Sequence, residues 1–178
     1  MSKRIPLTQN KYAIVDNEDY ESVSRFRWYA VNCSGLFYAK TGTHYATTHM
    51  GSRRKRWQGH MYLHRFLLHP PKGFVVDHIN SNALDCRRSN MRVCTQAQNI
   101  YNTRKLHPGL SQYKGIKWHN RDHVWEAYVH AEGRRFYLGR SPHEEIAAQM
   151  YDKGACEIHG EYACVNFPCT EKVPSVAV

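Results

Sequence analysis

The stretch Val75-Val76-Asp77-His78 ends a short apolar run on an aspartate and a histidine, and Asn90 and Asn99 follow it in the chain. An aspartate carboxylate and an asparagine amide provide the hard oxygen ligands that a divalent cation such as Mg²⁺ prefers. The adjacent imidazole can accept a proton near neutral pH, because the unperturbed pKa of histidine is about 6.5. The four side chains therefore indicate a site at which a bound metal ion and a general base act on a phosphate ester.

The residues around this stretch predict a strand, a loop, a second strand and a helix. The apolar segment 74–79 predicts the first strand, and the polar, turn-rich segment 80–89 predicts the loop. Segment 91–94 predicts the second strand, and Thr95 is a suitable N-cap for a helix over 96–103. We therefore expect a compact unit in which the histidine and the second asparagine of the pattern face each other.

Four motifs in this part of the chain occur in a fixed order. They are Leu63-His64-Arg65, then Val75-Val76-Asp77-His78, then Leu84-Asp85 with Arg87-Arg88-Ser89-Asn90-Met91-Arg92, and finally 95–99 with Asn102. In this order they resemble the motifs of the HNH endonucleases, in particular the homing enzymes encoded by phages and introns. The resemblance implies a ββα-metal module that hydrolyses a phosphodiester bond of DNA with one divalent ion.

The resemblance also implies a role for each polar side chain. His78 would be the general base and Asn90 would orient it, while Asp77 and Asn99 would bind the metal ion, which is Mg²⁺ or, as the alternative, Mn²⁺. Taken singly, an Asp-His pair is usually a turn or a surface hydrogen bond, and lone asparagines are usually structural. Two further residues, His64 and Arg92, are candidates for contacts behind the catalytic groups. For His64, a contact with DNA is an alternative, and a structural hydrogen bond within the fold explains it at least as well.

The segment after residue 112 follows a different pattern. Segments 114–118, 124–130 and 134–139 alternate apolar and polar residues between polar turns, which predicts a three-stranded antiparallel sheet. Ser141-Pro142-His143-Glu144 predicts the start of a helix, with a capping box and a proline at the first helical position, and Gly160 predicts its end. The apolar positions at helical spacing, which we expect to face the sheet, are Ala147, Met150, Tyr151, Gly154, Ala155 and Ile158.

Several motifs of this segment are shared with a family of DNA-binding domains. They are Tyr113-Lys114-Gly115-Ile116, 125–129, Tyr137-Leu138-Gly139, 144–148 with Tyr151-Asp152, and 159–168. They resemble the AP2/ERF domain, which implies a sheet that binds double-stranded DNA. A solvated basic face without a partner is the alternative. The candidate DNA-binding residues are Lys114, Lys117, His119, Tyr128, His130, Arg135 and Tyr137.

Length and charge are consistent with two small cores and a polyanionic partner. The chain has 178 residues and a formal net charge of +10, which favours phosphate neutralisation, although charge alone does not separate DNA from RNA or an anionic membrane. We see no long apolar segment and no signal peptide, so we expect no membrane partner and a cytoplasmic location in a bacterial host.

The cysteines form no Cys-x-x-Cys pair, which disfavours zinc and predicts reduced, mostly buried thiols.

The expected fold class is α+β, with three structured parts. A β-rich N-terminal region spans 1–56, the HNH module spans 57–106, and an AP2-like module spans 113–168, with a linker over 107–112 and a tail over 169–178. In the N-terminal region, alternating segments predict strands at 11–15, 28–31 and 36–39. The basic run 53–56 either binds backbone phosphate or is a solvated loop.

The predicted function is a sequence-directed DNA endonuclease of the homing type, which acts as a monomer and nicks one strand. A dimer, or two successive cuts, would break both strands. One alternative is a DNA-binding regulator that retains an inactive HNH fold. The other is an RNA-binding protein, which is disfavoured because no aromatic platform for unstacked bases is evident.

Overall fold

The computed structural model describes residues 1–44, 58–105 and 109–168. Within them the chain is a mixed α+β protein with small antiparallel sheets and few helices. The chain divides into two compact units, Met1–Gln96 and Ala97–Val178, and each has its own hydrophobic core. The basic run 53–56, part of the predicted linker and the predicted tail lie outside the described residues.

The first half of unit 1 consists of two small sheets and a short helix. Its elements are β1 (Ser2–Pro6), β2 (Tyr12–Asp16), α1 (Tyr20–Ser24), β3 (Tyr29–Cys33), β4 (Leu36–His44) and β5 (Gln58–Tyr62). Strand β1 pairs antiparallel with β2, and the other three strands form a sheet in the order β3-β4-β5. The strands predicted at 11–15, 28–31 and 36–39 are present as β2, β3 and β4, whereas no sequence pattern predicted β1 or β5.

The second half of unit 1 contains the hairpin that carries the Asp77-His78 pair. Its elements are α2 (Leu63–Leu68), β6 (Val75–His78), a 3₁₀ turn (Arg88–Asn90) and β7 (Met91–Cys94). Strands β6 and β7 are antiparallel, so that Asp77 is paired with Arg92 and His78 with Met91. The predicted strand, loop and second strand are therefore present. The predicted helix is α3 (Gln96–Tyr101), which lies in unit 2 from Ala97 onward.

The loop between β6 and β7 is fixed to the N-terminal part of the unit. The Ile14 N–H donates to Leu84 O at 2.8 Å, and the Cys86 N–H donates to Ile14 O at 2.8 Å, so this loop continues the backbone pairing of β2. The Arg88 guanidinium donates to both carboxylate oxygens of Asp19, at 2.7 and 2.9 Å. The loop therefore has a defined position although it contains no strand.

In unit 2, three strands form the meander that the alternating segments predict. Strands β8 (Ile116–His119), β9 (Val124–Ala131) and β10 (Arg134–Ser141) are antiparallel in the order β10-β9-β8. Ala131 pairs with Arg134, so the last hairpin turns through two residues, Glu132 and Gly133. Their φ angles of 53° and 73° are typical of the type I′ turn, which matches the twist of paired strands.

Helix α4 (Glu144–His159) packs on one face of this sheet through small residues. Ala147, Ala148 and Ala155 are buried together with Tyr151. A Cβ atom on Gly154 would lie 2.5 Å from a methyl carbon of Leu138, so glycine allows the close approach of helix and sheet. The other face of the sheet carries Glu126, Tyr128 and His130, which alternate along β9 with inward-facing residues.

Three sequence expectations need correction, two for α4 and one for the cysteines. Helix α4 starts after His143 and has no side-chain cap, because Ser141 is the last residue of β10 and its hydroxyl accepts the His143 N–H at 3.0 Å. Ile158 is 37% exposed because it lies at the edge of the apolar stripe. The described cysteines are all free thiols. Cys86 and Cys94 are buried and the others are half-buried, so the expectation that most of the thiols are buried was wrong.

No helix in the described part of the chain is long and apolar enough to span a membrane.

Candidate active site

Asp77 and His78 lie next to each other on β6, and both side chains are buried. Arg92, on the paired strand, donates to the Oδ2 atom of Asp77 from Nε at 2.9 Å and approaches the same oxygen with Nη2 at 2.8 Å. Because both partners are largely excluded from water, this ion pair holds the carboxylate in one orientation. Arg92, a candidate for contacts behind the catalytic groups, therefore contacts the predicted metal ligand directly.

The His78 imidazole lies in an aromatic cluster formed by residues from three segments. Its ring centre is 5.3 Å from that of His64 and 6.4 Å from that of Tyr38, both in edge-on orientations. His64 in turn stacks on Tyr62, with ring centres 5.5 Å apart. On the other side, the Nε2 atom of His78 is 4.0 Å from the Sγ atom of Cys86. The ring is thus held between a histidine, a tyrosine and a thiol.

Burial controls the protonation of both histidines. Burial lowers the pKa of His78 to about 4, and the negative charges of Asp77 and Asp85 only partly oppose this effect. Burial also lowers the pKa of His64 to about 3, with a smaller contribution from His78. Both imidazoles are therefore neutral at neutral pH, and a neutral imidazole has one nitrogen lone pair that can accept a proton.

Asn90 connects the two ends of the loop that follows His78. Its side-chain NH₂ donates to Asn80 Oδ1 at 3.0 Å and to Asp85 O at 2.8 Å, and its own Oδ1 accepts the Asn80 N–H at 3.0 Å. The backbone also participates, since the Ile79 N–H donates to Asn90 O at 2.9 Å. Through these bonds Asn90 fixes the backbone immediately after His78, which would orient the base indirectly.

Asp85 is a second buried carboxylate in the loop, and Arg87 and Asn80 bind it. The Arg87 guanidinium donates to its two oxygens at 2.7 and 2.6 Å, and Asn80 Nδ2 donates to Oδ2 at 2.9 Å. The hydrogen bonds from Arg87 lower the pKa of Asp85, against the opposing effect of burial. Asp85 therefore remains ionised and closes the loop that carries Asn90.

The metal ligands predicted from sequence are on different units. Asp77 belongs to unit 1, and Asn99 lies on α3 within unit 2. Among the described residues, no cluster of three or more His, Cys, Asp or Glu side chains could hold a metal ion. The Asp77 carboxylate is a hard oxygen donor of the kind that a hydrated Mg²⁺-type ion takes, since such an ion needs only one or two protein ligands beside water and phosphate.

Unit 2 contains a surface cavity of about 310 Å³ that is rich in basic side chains. It brings together five of the seven candidate DNA-binding residues and adds two cations that the sequence analysis did not single out, Arg104 and Lys105. Tyr137 contacts this group through Tyr128, with ring centres 5.4 Å apart, and is 53% exposed. The five candidates that line the cavity are Lys114, Lys117, Tyr128, His130 and Arg135.

Several of the candidate DNA-binding side chains have partners within unit 2. The Lys114 ammonium is half-buried and donates to Tyr101 O at 2.7 Å, and burial lowers its pKa. The Arg135 guanidinium lies 4.0 Å from the Tyr128 ring centre, and the Tyr128 hydroxyl donates to Glu126 at 2.7 Å. His119 lies apart from the cavity, 3.6 Å from the Asp122 carboxylate. Lys117 is exposed at the edge of the sheet.

Three residues of the site were not identified from sequence: Tyr38, Tyr62 and Cys86. The two tyrosines come from β4 and β5, far from the motifs, and no local pattern links them to His78. Cys86 lies between the two quoted parts of the third motif, Leu84-Asp85 and Arg87–Arg92, and the sequence analysis treats it only as one of the cysteines.

Comparison with known proteins identifies the family of the chain that carries this hairpin and its buried Asp-His pair. A family model for HNH endonucleases matches residues 69–101. An uncharacterised HNH endonuclease of Acanthamoeba polyphaga mimivirus is 30% identical over 161 residues, covering 87% of this chain and 74% of the relative. The chain belongs to the HNH endonuclease family.

Two other similarities are shorter. Protein 3.8 of Escherichia phage T7 is 30% identical over 93 residues, covering 52% of this chain and 76% of the relative. APETALA2-like protein 2 of Oryza sativa is 35% identical over 57 residues, which are 32% of this chain but 13% of the plant protein. The second similarity concerns one segment only.

Proposed function

We propose that this protein is a sequence-directed DNA endonuclease of the homing type that nicks one strand with a single divalent ion. The observation that carries the proposal is the buried Asp77-His78 pair, with the carboxylate held by Arg92 and the imidazole neutral. Membership of the HNH endonuclease family supports DNA as the substrate.

In this proposal each residue of the site has a separate task. Asp77 and Asn99 would hold the ion, which, when bound, would stabilise negative charge on the scissile phosphate and the leaving oxygen. The His78 lone pair accepts a proton from the attacking water. Arg92 keeps the Asp77 carboxylate in place, and Asn90 fixes the backbone after His78, so neither needs to touch the substrate.

We further propose that unit 2 is an AP2-like module that positions the nuclease on double-stranded DNA. The cations around the cavity, above all Lys117, Arg104 and Arg135, would neutralise backbone phosphates. The exposed Tyr137 and the outer face of β9 would lie against base edges. Each good base contact discriminates by about 1–3 kcal/mol, so a single small sheet would give modest specificity.

The test uses supercoiled plasmid that carries the gene's own flanking locus. Wild-type protein, His78→Ala and a control, His143→Ala, are incubated with Mg²⁺ or with EDTA. His143 is an exposed residue of unit 2 whose side chain makes no capping bond to α4, so its loss removes a histidine that has no part in the proposed chemistry. We expect metal-dependent relaxed circles from wild type and control only. Linear product would indicate double-strand cleavage, and uncut plasmid would refute the nuclease proposal.

One observation favours a second candidate, a DNA-binding regulator without nuclease activity. The Oδ2 atom of Asp77 already accepts the Arg92 guanidinium, so a metal ion would compete with a cation for this carboxylate. If the protein retards the plasmid locus in a gel but leaves it intact with Mg²⁺ and with Mn²⁺, the regulator function is supported instead.

A further inference from the structure

The basic cavity of unit 2 is bounded on one side by a segment that precedes the AP2-like motifs. Thr103, Arg104 and Lys105 follow α3 in the chain and form this side. The other sides are formed by residues of the three strands β8, β9 and β10 and by the two residues before β8. The cavity is therefore a property of this chain and not of the AP2-like segment alone.

Two lysines hold the segment against the start of the sheet. The Lys105 ammonium donates to Ser111 O and, at 3.2 Å, to Tyr113 O. In the opposite direction, the half-buried Lys114 ammonium donates to Tyr101 O at 2.7 Å. Because these bonds join residues 101–105 to residues 111–114 from both sides, the backbone along this side of the cavity is fixed.

The lining of the cavity has an excess of positive charge. Five of its residues are cations, and none of the lining residues in the described ranges is an aspartate or a glutamate. The contacts of Lys105 and Lys114 are to carbonyl oxygens, and Arg135 lies over a tyrosine ring, so these contacts leave the charges uncompensated. An excess of cations in a concave site attracts an anion. The five cations are Arg104, Lys105, Lys114, Lys117 and Arg135.

The volume of the cavity limits the anion that it can hold. A cavity of about 310 Å³ is small for a ligand site, since such sites span roughly 300–1,000 Å³, so it has room for about one nucleotide. A phosphate monoester has a charge of about −1.5 to −2 at pH 7, whereas a backbone phosphodiester has a charge of about −1. Close to several cations, the monoester therefore gains more electrostatic energy than a diester of similar size.

We propose that this cavity binds one nucleotide through a phosphate monoester, and that its source is the phosphorylated end of a DNA strand. Arg104 and Lys117 bind the phosphate oxygens, and the fixed segment 101–105 keeps Arg104 in place. The DNA source rests on the proposed function. When water hydrolyses a phosphodiester, its oxygen bonds to phosphorus and the bond to the leaving oxygen breaks, so one new end carries a monoester and the other a hydroxyl. A free nucleoside monophosphate has the same chemistry and is the other source.

The first test measures binding without DNA. The full-length, metal-free protein is titrated with a nucleoside monophosphate, with the nucleoside, and with a dinucleoside phosphate whose single phosphate is a diester. The NMR amide signals of Gly115 and Ile116, which line the cavity, report binding. We expect saturable shifts with the monophosphate, at a Kd about 3- to 10-fold lower than that of the diester, the gain from about one additional charge-assisted contact. Equal affinities for monoester and diester, or no shift, overturn the proposal.

A matched pair of variants assigns the binding to this cavity. Arg104→Ala should abolish the difference between monoester and diester. Arg121→Ala removes an exposed arginine from the turn between β8 and β9, outside the cavity, and should keep the difference. The proposal is wrong if the two variants behave alike.

The second test identifies the source of the monoester. Short duplexes of one sequence, with hydroxyl ends or with a single phosphorylated end, are compared for affinity in EDTA, so that no strand is cut. A preference for the phosphorylated end, lost in Arg104→Ala, supports the strand end as the ligand. Binding of the monophosphate without this preference overturns the strand end as the source. A protein that binds the monophosphate but no duplex would refute DNA binding by unit 2, while the monoester site would stand.

Discussion

The surroundings of His78 in unit 1 and the basic cavity of unit 2 differ in burial and in the number of fixed partners. Around His78, the polar groups Asp77, Asp85 and Asn90 are buried and bonded in defined geometry. Around the cavity, Lys117 and Tyr137 are exposed. The Lys114 ammonium is half-buried and donates to Tyr101 O, and the Arg135 guanidinium lies over the Tyr128 ring. Removing one hydrogen-bonded partner around His78 should therefore lower the stability of unit 1 strongly. Removing one cation around the cavity should weaken DNA binding by a small amount that depends on the salt concentration.

The largest expected effect separates chemistry from binding. His78→Ala should lower the single-turnover cleavage rate by about 10²- to 10⁴-fold, the usual contribution of a general base, while the affinity for DNA stays unchanged. Single-turnover rates and gel-shift affinities are compared with those of His143→Ala. A parallel loss of affinity would mean that the two regions are not functionally separate.

The next effect concerns the stability of unit 1. Arg92→Leu should leave the buried Asp77 carboxylate without its guanidinium and reduce the free energy of unfolding by about 3–5 kcal/mol. The matched control is Arg25→Ala, which breaks the exposed Arg25–Glu21 pair at 2.9 Å and should cost less than about 1 kcal/mol. Urea unfolding followed through the indole N–H NMR signal of the buried Trp28, which donates to Val23 O, reports on this unit.

A double variant sharpens the same comparison. Asp77→Leu combined with Arg92→Leu replaces the ion pair with apolar side chains, so part of the lost stability should return. Cleavage should be abolished in the double variant, because the proposed metal ligand Asp77 is gone. If the double variant is no more stable than Arg92→Leu alone, the ion pair does not have the energetic role that its geometry indicates.

A smaller effect concerns the exposed cations of unit 2. Lys117→Ala should lower the slope of log affinity against log salt by about 0.9, the value for one lost phosphate contact, without changing the cleavage rate at saturating DNA. Lys153→Ala removes the same charge from the exposed side of α4 and is the control. Equal salt slopes for the two variants would exclude Lys117 from the DNA-binding surface.

Local patterns predicted the parts of both regions that depend on neighbours in sequence. The hairpin β6–β7 and the meander β8–β10 follow from alternating residues and turn signals, which act over a few positions. The contacts of Tyr38 and Tyr62 with His64 and His78 could not be predicted, because they join strands far apart in the chain. The half-burial of Lys114 could not be predicted from the sequence either, because its partner, the carbonyl oxygen of Tyr101, lies on the helix α3.

The smallest expected effect tests whether unit 2 also depends on a buried polar group. His159 stacks on Tyr101 with ring centres 3.9 Å apart, and it contacts His130 O through Nε2 at 2.9 Å. Its Nδ1 atom is buried without a hydrogen-bond partner among the described residues, so a second ring proton would have no acceptor. Burial lowers the pKa of His159, and the charge of Lys114 adds to this effect while the bond to His130 O opposes it.

Between the lowered folded pKa and the unfolded value of about 6.5, the unfolded chain binds more protons than the folded one, so stability rises with pH. We therefore expect full stability of unit 2 above pH about 6.5 and a progressive loss below it, at most about 1.4 kcal/mol per pH unit. Urea titrations followed by the amide signals of α4 measure this slope, and His159→Phe, which keeps a ring against Tyr101, should reduce it. An unchanged slope in that variant would assign the pH dependence to other groups and leave the burial of polar side chains a feature of unit 1.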